Sequence, residues 1–304
     1  MQLDSRQLAA FSAVLREGSF EAAARALFVT PSAVSQRIKQ LEDRLGRVLI
    51  QRGSPCAATP AGQALQRHAQ QVQLLETQAL AAFGLQAETA SALPMTIAVN
   101  ADSLATWLAP ALAAVQTALG ASFDLIVEDQ DHSQELLRTG KVISAITTDA
   151  RAVQGCDVVP LGAMRYSAVA SPAFFERYFA NGVNDESLAH APCNTFNRKD
   201  ALQTQFLKLL SKKKLQPPRH YLPSTHGFVE AARHGLGWGM NPSVLVADLI
   251  KRGELRELRR SKYLDVLLYW QHWRLDSAVL HALTKAVKRA AAEQLVNPRI
   301  AKST

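Results

Sequence analysis

The residues best suited to chemistry sit in one short run, "TPSAVSQRIK". It offers the hydroxyls of Ser32 and Ser35, the amide of Gln36 and the cations Arg37 and Lys39. Serine can donate or accept a hydrogen bond, and glutamine can pair twice with an adenine edge. Lysine and arginine answer phosphate charge. For these groups to act together they need the outer face of a helix packed by its other face. Val34, Ile38, Leu41 and Leu45 recur at i, i+4, i+7 and i+11, which predicts that helix. Ser32, Gln36, Lys39 and Asp43 then face outward, with Ser35 and Arg37 on the flanks. Thr30 is placed as N-cap, Pro31 as first helical residue and Gly46 as terminator. Residue types and spacing alone also fit an ordinary solvated surface helix.

The surrounding elements narrow that choice. Leu8, Phe11 and Leu15 form one helical stripe, "EGSF" ends it at Gly18, and Ser19 caps a second helix carrying Phe20, Ala23, Ala24 and Leu27. Two helices, a short turn and an outward-reading third describe a helix-turn-helix. "LIQRGSPCAATPAG" reads as a turn-rich wing. Thr59 and Pro60 open a long helix of roughly 40 Å. Its Leu65, Val72, Leu75, Ala79 and Phe83 lie at near-heptad spacing, as in a helix that pairs with a second copy. "QAETASALP" at 86–94 reads as a linker, giving three units: 1–58, 59–92 and 93–304.

Charge is a weak guide here. The chain of 304 residues carries a net +8, which permits an anionic partner. Residues 1–88, however, hold nine Lys/Arg against seven Asp/Glu, so local arrangement has to carry the case. Cys56, Cys156 and Cys193 form no CxxC pair and read as reduced thiols. No secretory leader and no run of about 20 apolar residues is present, so a cytoplasmic protein with no membrane partner is expected.

From Pro94 the pattern turns to alternating strands and helices, which predicts an α/β domain with a largely parallel sheet. No nucleophile, acid–base or cofactor constellation appears in it. The eight histidines show no ligand spacing, and "GLGWG" reads as a turn rather than a phosphate loop. An enzyme therefore ranks last, with no cofactor and no metal expected.

The run "LAAFSAVLREGSFEAAARALFVTPSAVSQRIKQLEDRLGRVLIQRG", followed by "TPAG", resembles the N-terminal domain of LysR-type transcriptional regulators, long and without gaps. That resemblance implies an all-α winged helix-turn-helix with a long linker helix. It further implies a C-terminal α/β domain like a type 2 periplasmic binding protein, with two subdomains. It places base-reading positions at Pro31, Ser32, Ser35 and Gln36, with Arg37 and Lys39 nearby and Arg52 as the wing arginine of the minor groove. Gln36 stands where many relatives have arginine. The implied partners are double-stranded DNA, a second copy forming a homodimer or a dimer of dimers, and RNA polymerase as a further candidate.

"VNADSLATWL", "ELLRTGKVISAITT", "SPAFFERYFANGV" and "FVEAARHG" resemble the arginine/lysine-responsive subgroup called ArgP or LysG. This implies a lysine or arginine effector and control of a basic amino-acid exporter or metabolism gene. The other reading is a broadly binding architectural or replication-origin protein with little ligand response. In such a domain the ligand lies at strand C-terminal ends and helix N-termini, between the subdomains. That places Asn100, Asp102, Ser103, Glu128, Asp129, Thr147, Thr148, Asp149, Phe196, Asn197 and Thr225 as effector-binding candidates. Asp102, Glu128 and Asp129 would accept from cationic groups. The plainer reading is that Asp102 caps its helix and that Glu128 and Asp129 are a solvated strand end.

Overall fold

The structure, a computed structural model, describes residues 3–83, 94–128 and 133–297. It opens with α1 (Ser5–Glu17), α2 (Phe20–Ala26) and α3 (Pro31–Leu45), each started by a side-chain cap from Asp4, Ser19 and Thr30. Gly18 and Gly46 adopt left-handed backbone and end α1 and α3, a conformation that costs glycine little. Leu8, Phe11, Val14, Ala23, Ala24, Val34, Ile38 and Leu41 pack into one small core with Leu49, Ile50, Leu65 and Ala69.

A wing of β1 (Ile50–Gln51) and β2 (Ala57–Ala58) follows, paired antiparallel. Glu42 fastens it to α3, its Oε1 accepting from the backbone N–H of Leu49 at 2.7 Å and of Ile50 at 3.3 Å. The long helix α4 (Pro60–Ala82) runs roughly 35 Å. Its first turns sit against the wing, so that a Cβ on Gly62 would lie 2.1 Å from the Leu49 carbonyl oxygen. Farther along, Leu75, Leu80 and Phe83 are exposed, Phe83 by 80%. The unit boundary at 92–93 lies outside the described residues.

The second domain starts with β3 (Met95–Val99), α5 (Ala101–Ser103), a π-helical turn at Leu104–Leu108, and α6 (Ala109–Leu119). Then come β4 (Phe123–Val127), α7 (Ser133–Thr139), β5 (Ser144–Thr147) and the long strand β6 (Cys156–Ala170). A second lobe contains α8 (Pro172–Tyr178), α9 (Asp185–His190), β7 (Cys193–Thr195), α10 (Leu202–Leu210) and β8 (Arg219–Tyr221). It continues through α11 (Thr225–Arg233), β9 (Gly239–Pro242), α12 (Ser243–Lys251) and β10 (Arg256–Glu257). The strand β11 (Tyr263–Trp273) returns to the first lobe, where α13 (Ala278–Gln294) covers the core.

The sheet runs β10-β6-β11-β5-β3-β4, with β9 also on β6. The expectation of a largely parallel sheet is corrected: parallel pairing joins β3 to β4, β3 to β5, and β7 to β8, while β6 and β11 pair antiparallel along their length. Strand–helix alternation records no partner direction, and β6 and β11 meet from some hundred residues apart. Their register shifts between Leu268 and Tyr269, close to Gly162 at φ 123°. There the two strands pass from one lobe to the other, and a Cβ on Gly162 would crowd Leu295 and Val296 at 3.1 Å.

Gly62 gives a direct test of the α4–wing packing. In an open helix Gly→Ala gains about 1 kcal/mol. Here the methyl would collide with a backbone carbonyl, and overpacking of this kind costs about 1–3 kcal/mol. Gly62→Ala is expected to lower stability in urea unfolding by about 2 kcal/mol. A stabilised variant would show the helix is not seated as described.

Candidate DNA-reading face and effector cleft

On α3, Val34, Ile38 and Leu41 are buried while Pro31, Ser32, Gln36, Lys39 and Asp43 are exposed; Ser35 and Arg37 are half-buried on the flanks. The Thr30 hydroxyl takes the N–H of Ala33 and lies 3.0 Å from the Ser32 hydroxyl, which fixes the first turn. Before that turn, Phe28 reverses the chain at φ 54° with its ring almost fully exposed. On the wing, the Arg52 guanidinium lies 5.1 Å over the Phe20 ring, and the Gly18 carbonyl accepts from Cys56 N–H at 2.7 Å. The wing is thereby tied to the start of α2. Side chains spaced this way on a preordered helix start could meet base edges, with the wing cation at the flank.

In the second domain a cavity of about 780 Å³ opens between the lobes. Asn100, Asp102, Glu128, Thr148, Phe196, Asn197 and Thr225 all line it. Asp102 is the centre of its polar wall. Tyr166 Oη donates to Oδ2 at 2.6 Å and Thr225 Oγ1 donates to Oδ1 at 2.7 Å. These donors come from the crossing strand β6 and from the start of α11, so one carboxylate ties the two lobes. Burial raises the Asp102 carboxyl above its ordinary range, against the lowering pull of the two hydroxyls. Burial beside this carboxylate pushes the Tyr166 phenol well upward, so the tyrosine stays a neutral donor.

Around Asp102 the lining carries Glu128, Asp200 and Asp265 against Lys199. Asp265 is matched by Arg165, with contacts of 2.8 Å to each oxygen. Asp200 is a loop staple that accepts from the N–H of Phe196 and Leu202. Asn100 Nδ2 and Asn241 Oδ1 are buried with no partner among the described residues, although both residues line the cavity. Unpaired buried groups of this kind each cost about 1–3 kcal/mol, a cost that a polar ligand would remove. An acid-rich cleft with a spare donor and a spare acceptor suits a small, cationic, zwitterionic molecule.

Three sequence candidates lie elsewhere. Ser103 is buried behind the wall, its N–H held by Asn100, which rather than Asp102 is the helix cap. Thr147 is buried in β5, and its hydroxyl accepts from Asp149 N–H. Asp149 turns outward to Arg151, which donates at 2.7–3.1 Å and holds its carboxyl far below the usual range. Strand-end reasoning cannot separate Thr147 from Thr148, whose side chains point to opposite sides. Asp129 lies outside the described residues. Tyr166, Asp200, Gln205 and Asn241 line the cavity without having been singled out. They come from β6, the α10 region and β9.

A helix-turn-helix with a wing, joined through one long helix to a two-lobed domain with a ligand-sized cleft, is the architecture of a ligand-gated transcriptional regulator. Residues 5–63 match the family described as bacterial regulatory helix-turn-helix protein, lysR family, and residues 92–292 match the LysR substrate binding domain. The chain is 47% identical over 291 residues to the HTH-type transcriptional regulator LysG of Mycobacterium tuberculosis, covering 95% of this chain and 94% of that one. It is 43% identical over 291 residues to the lysine export transcriptional regulatory protein LysG of Corynebacterium glutamicum, covering 95% and 98%. The solved full-length LysG from Corynebacterium glutamicum with bound effector Arg superposes with a TM-score of 0.75 at 40% identity, covering 97% of this chain and all of that one. The chain belongs to the LysR family of transcriptional regulators. No described helix is long and apolar enough to cross a membrane.

Asp102 makes a stability prediction of definite sign. Its raised carboxyl means that the folded chain holds this proton more tightly than the unfolded chain. The group's stabilising contribution is full below the ordinary value of 3.8 and is lost as pH rises through the raised one. At pH 7, above the ordinary value, this group therefore costs stability. Asp102→Asn is expected to raise the melting temperature of the ligand-free protein at pH 7, with the gain narrowing as pH falls toward the carboxylate range. A variant less stable at pH 7, or a difference independent of pH, would contradict this.

Proposed function

We propose that this chain is a cytoplasmic regulator that binds lysine or arginine in the cleft and thereby changes its grip on operator DNA, controlling a basic amino-acid exporter or metabolism gene. The observation that carries this reading is the buried Asp102 carboxylate, at the centre of an acid-rich cavity between two lobes. Asp102 takes one cationic group of the ligand, and Glu128, exposed at the rim, takes the other. Asn100 Nδ2 and the Thr148 hydroxyl serve the ligand carboxylate. The relatives agree: that of Corynebacterium glutamicum is a lysine export regulatory protein, and its solved structure holds arginine.

On the DNA side, Pro31, Ser32, Ser35 and Gln36 meet base edges, Arg37 and Lys39 meet phosphates, and Arg52 enters the flanking minor groove. Two copies pair through the exposed Leu75, Leu80 and Phe83 of α4, which sets two readers on successive grooves. A dimer of such dimers and a contact with RNA polymerase extend this reading.

Fluorescence anisotropy on the intergenic DNA beside this protein's own gene tests it, with scrambled competitor, two salt concentrations, and lysine, arginine or a neutral amino acid. Specific binding altered by a basic amino acid alone is expected. Gln36→Ala should weaken operator binding by about 1–3 kcal/mol while leaving binding to scrambled DNA unchanged. Equal binding to both DNAs with no amino-acid effect would establish the broadly binding architectural reading instead.

A further inference from the structure

Arg67 of α4 leaves its own domain and reaches into the second one. Its Nη1 donates to the Gln154 carbonyl and its Nη2 to the Gly155 carbonyl, both at 3.0 Å. The guanidinium lies 5.5 Å over the Trp273 ring, and Trp273 is buried at the end of β11. The fit is made by two glycines. A Cβ on Gly140 would lie 2.7 Å from the Arg67 Cα, and a Cβ on Gly155 would lie 2.7 Å from Arg67 Nη2. Both glycines have φ 76°, which side-chain-bearing residues rarely adopt. Helix α4 is therefore seated by its backbone on one loop and by its guanidinium on another.

The clamped loop is the one that leaves the cleft. It starts at Thr148, which lines the cavity, and ends at Gly155. Between those points it is held by Gln271, which is fully buried. Gln271 Nε2 donates to the Asp149 and Arg151 carbonyls at 3.0 and 2.9 Å, and its Oε1 accepts from Val153 N–H at 3.1 Å. A loop fastened this way moves as one piece. Within the same turns, α4 carries Leu65 and Ala69 into the core of the DNA-binding domain, each two residues from Arg67.

We propose that Arg67 is the positioning residue that couples the effector cleft to the DNA-reading domain, by locking α4 to the 148–155 loop. The inference rests on the gating reading above and adds the residue through which gating passes. When the cleft closes on its ligand and shifts Thr148, the loop carries the shift to Gln154 and Gly155, and the guanidinium fork carries it to α4. A guanidinium suits this role because its planar fork takes two carbonyls while its face covers an indole.

The test uses the full chain as Arg67→Met, which keeps the apolar stem without donors, and as Arg67→Lys, which keeps one charged donor. For each protein, DNA affinity is measured by anisotropy with and without saturating arginine, and arginine affinity by calorimetry. The readout is the ratio of DNA affinities with and without arginine. Arg67→Met is expected to keep the DNA affinity without arginine and the arginine affinity without DNA each within about 3-fold of the parent, about 0.7 kcal/mol, while the ratio collapses toward one; Arg67→Lys is expected to restore part of it. A parent chain that responds to arginine together with an Arg67→Met variant that responds equally would overturn this proposal alone. A parent chain whose DNA binding responds to neither arginine nor lysine would overturn the gating reading itself and this inference with it.

Discussion

A buried carboxylate held by two neutral hydroxyls organises the second domain. Asp102 enters on α5, directly after the first strand, and meets a phenol from the crossing strand and a hydroxyl from the start of α11. Two neutral hydrogen bonds only partly replace the water lost on burial, which is why the carboxyl is pushed upward. A carboxyl in this state gains more from a cation placed beside it than an exposed one would, because little water remains to compete. The same two bonds span the lobes, so whatever Asp102 does with a ligand is felt on both sides of the cleft.

The rest of the fold makes that sensitivity usable. β6 and β11 run through both lobes as a paired ribbon, with the register shift and Gly162 where they cross. A ribbon that bends at one point lets the lobes change angle without breaking their sheets. On the first lobe, the loop from Thr148 to Gly155 is held rigid by Gln271 and meets Arg67 of the linker helix. A ligand can shift such an equilibrium only by its difference in affinity for the two arrangements. A tie that bridges the lobes is a natural source of that difference.

The sequence was most informative where the physics is local. The stripe Val34, Ile38, Leu41, the Thr30–Pro31 start and the Gly46 stop predict α3, and the burial of each face follows the same spacing. Asn100, Asp102 and Thr225 were reachable because they end strands or open helices. Tyr166, Asn241 and Gln205 were not, since each sits within an ordinary-looking segment: Tyr166 and Asn241 meet the cleft through the antiparallel pairing of β6 with β9 and β11, and Gln205 from inside α10. Thr147 and Asp149 illustrate the complementary error: a strand end marks the neighbourhood, while the side that each residue faces depends on register. Arg67 carries no motif at all. Two glycines some 70 and 90 residues away give it somewhere to go, and their role appears only when the helix is seen against them.

In the proposed regulator, occupancy of the cleft and occupancy of the operator are linked through one equilibrium. Linkage is reciprocal, so the most direct measurement is the affinity of arginine for the full chain, by titration calorimetry, with and without saturating operator DNA. Two different dissociation constants are expected, related by the same factor by which arginine changes DNA affinity. Identical arginine affinities for the free and the DNA-bound protein would contradict that linkage, whatever the cleft binds.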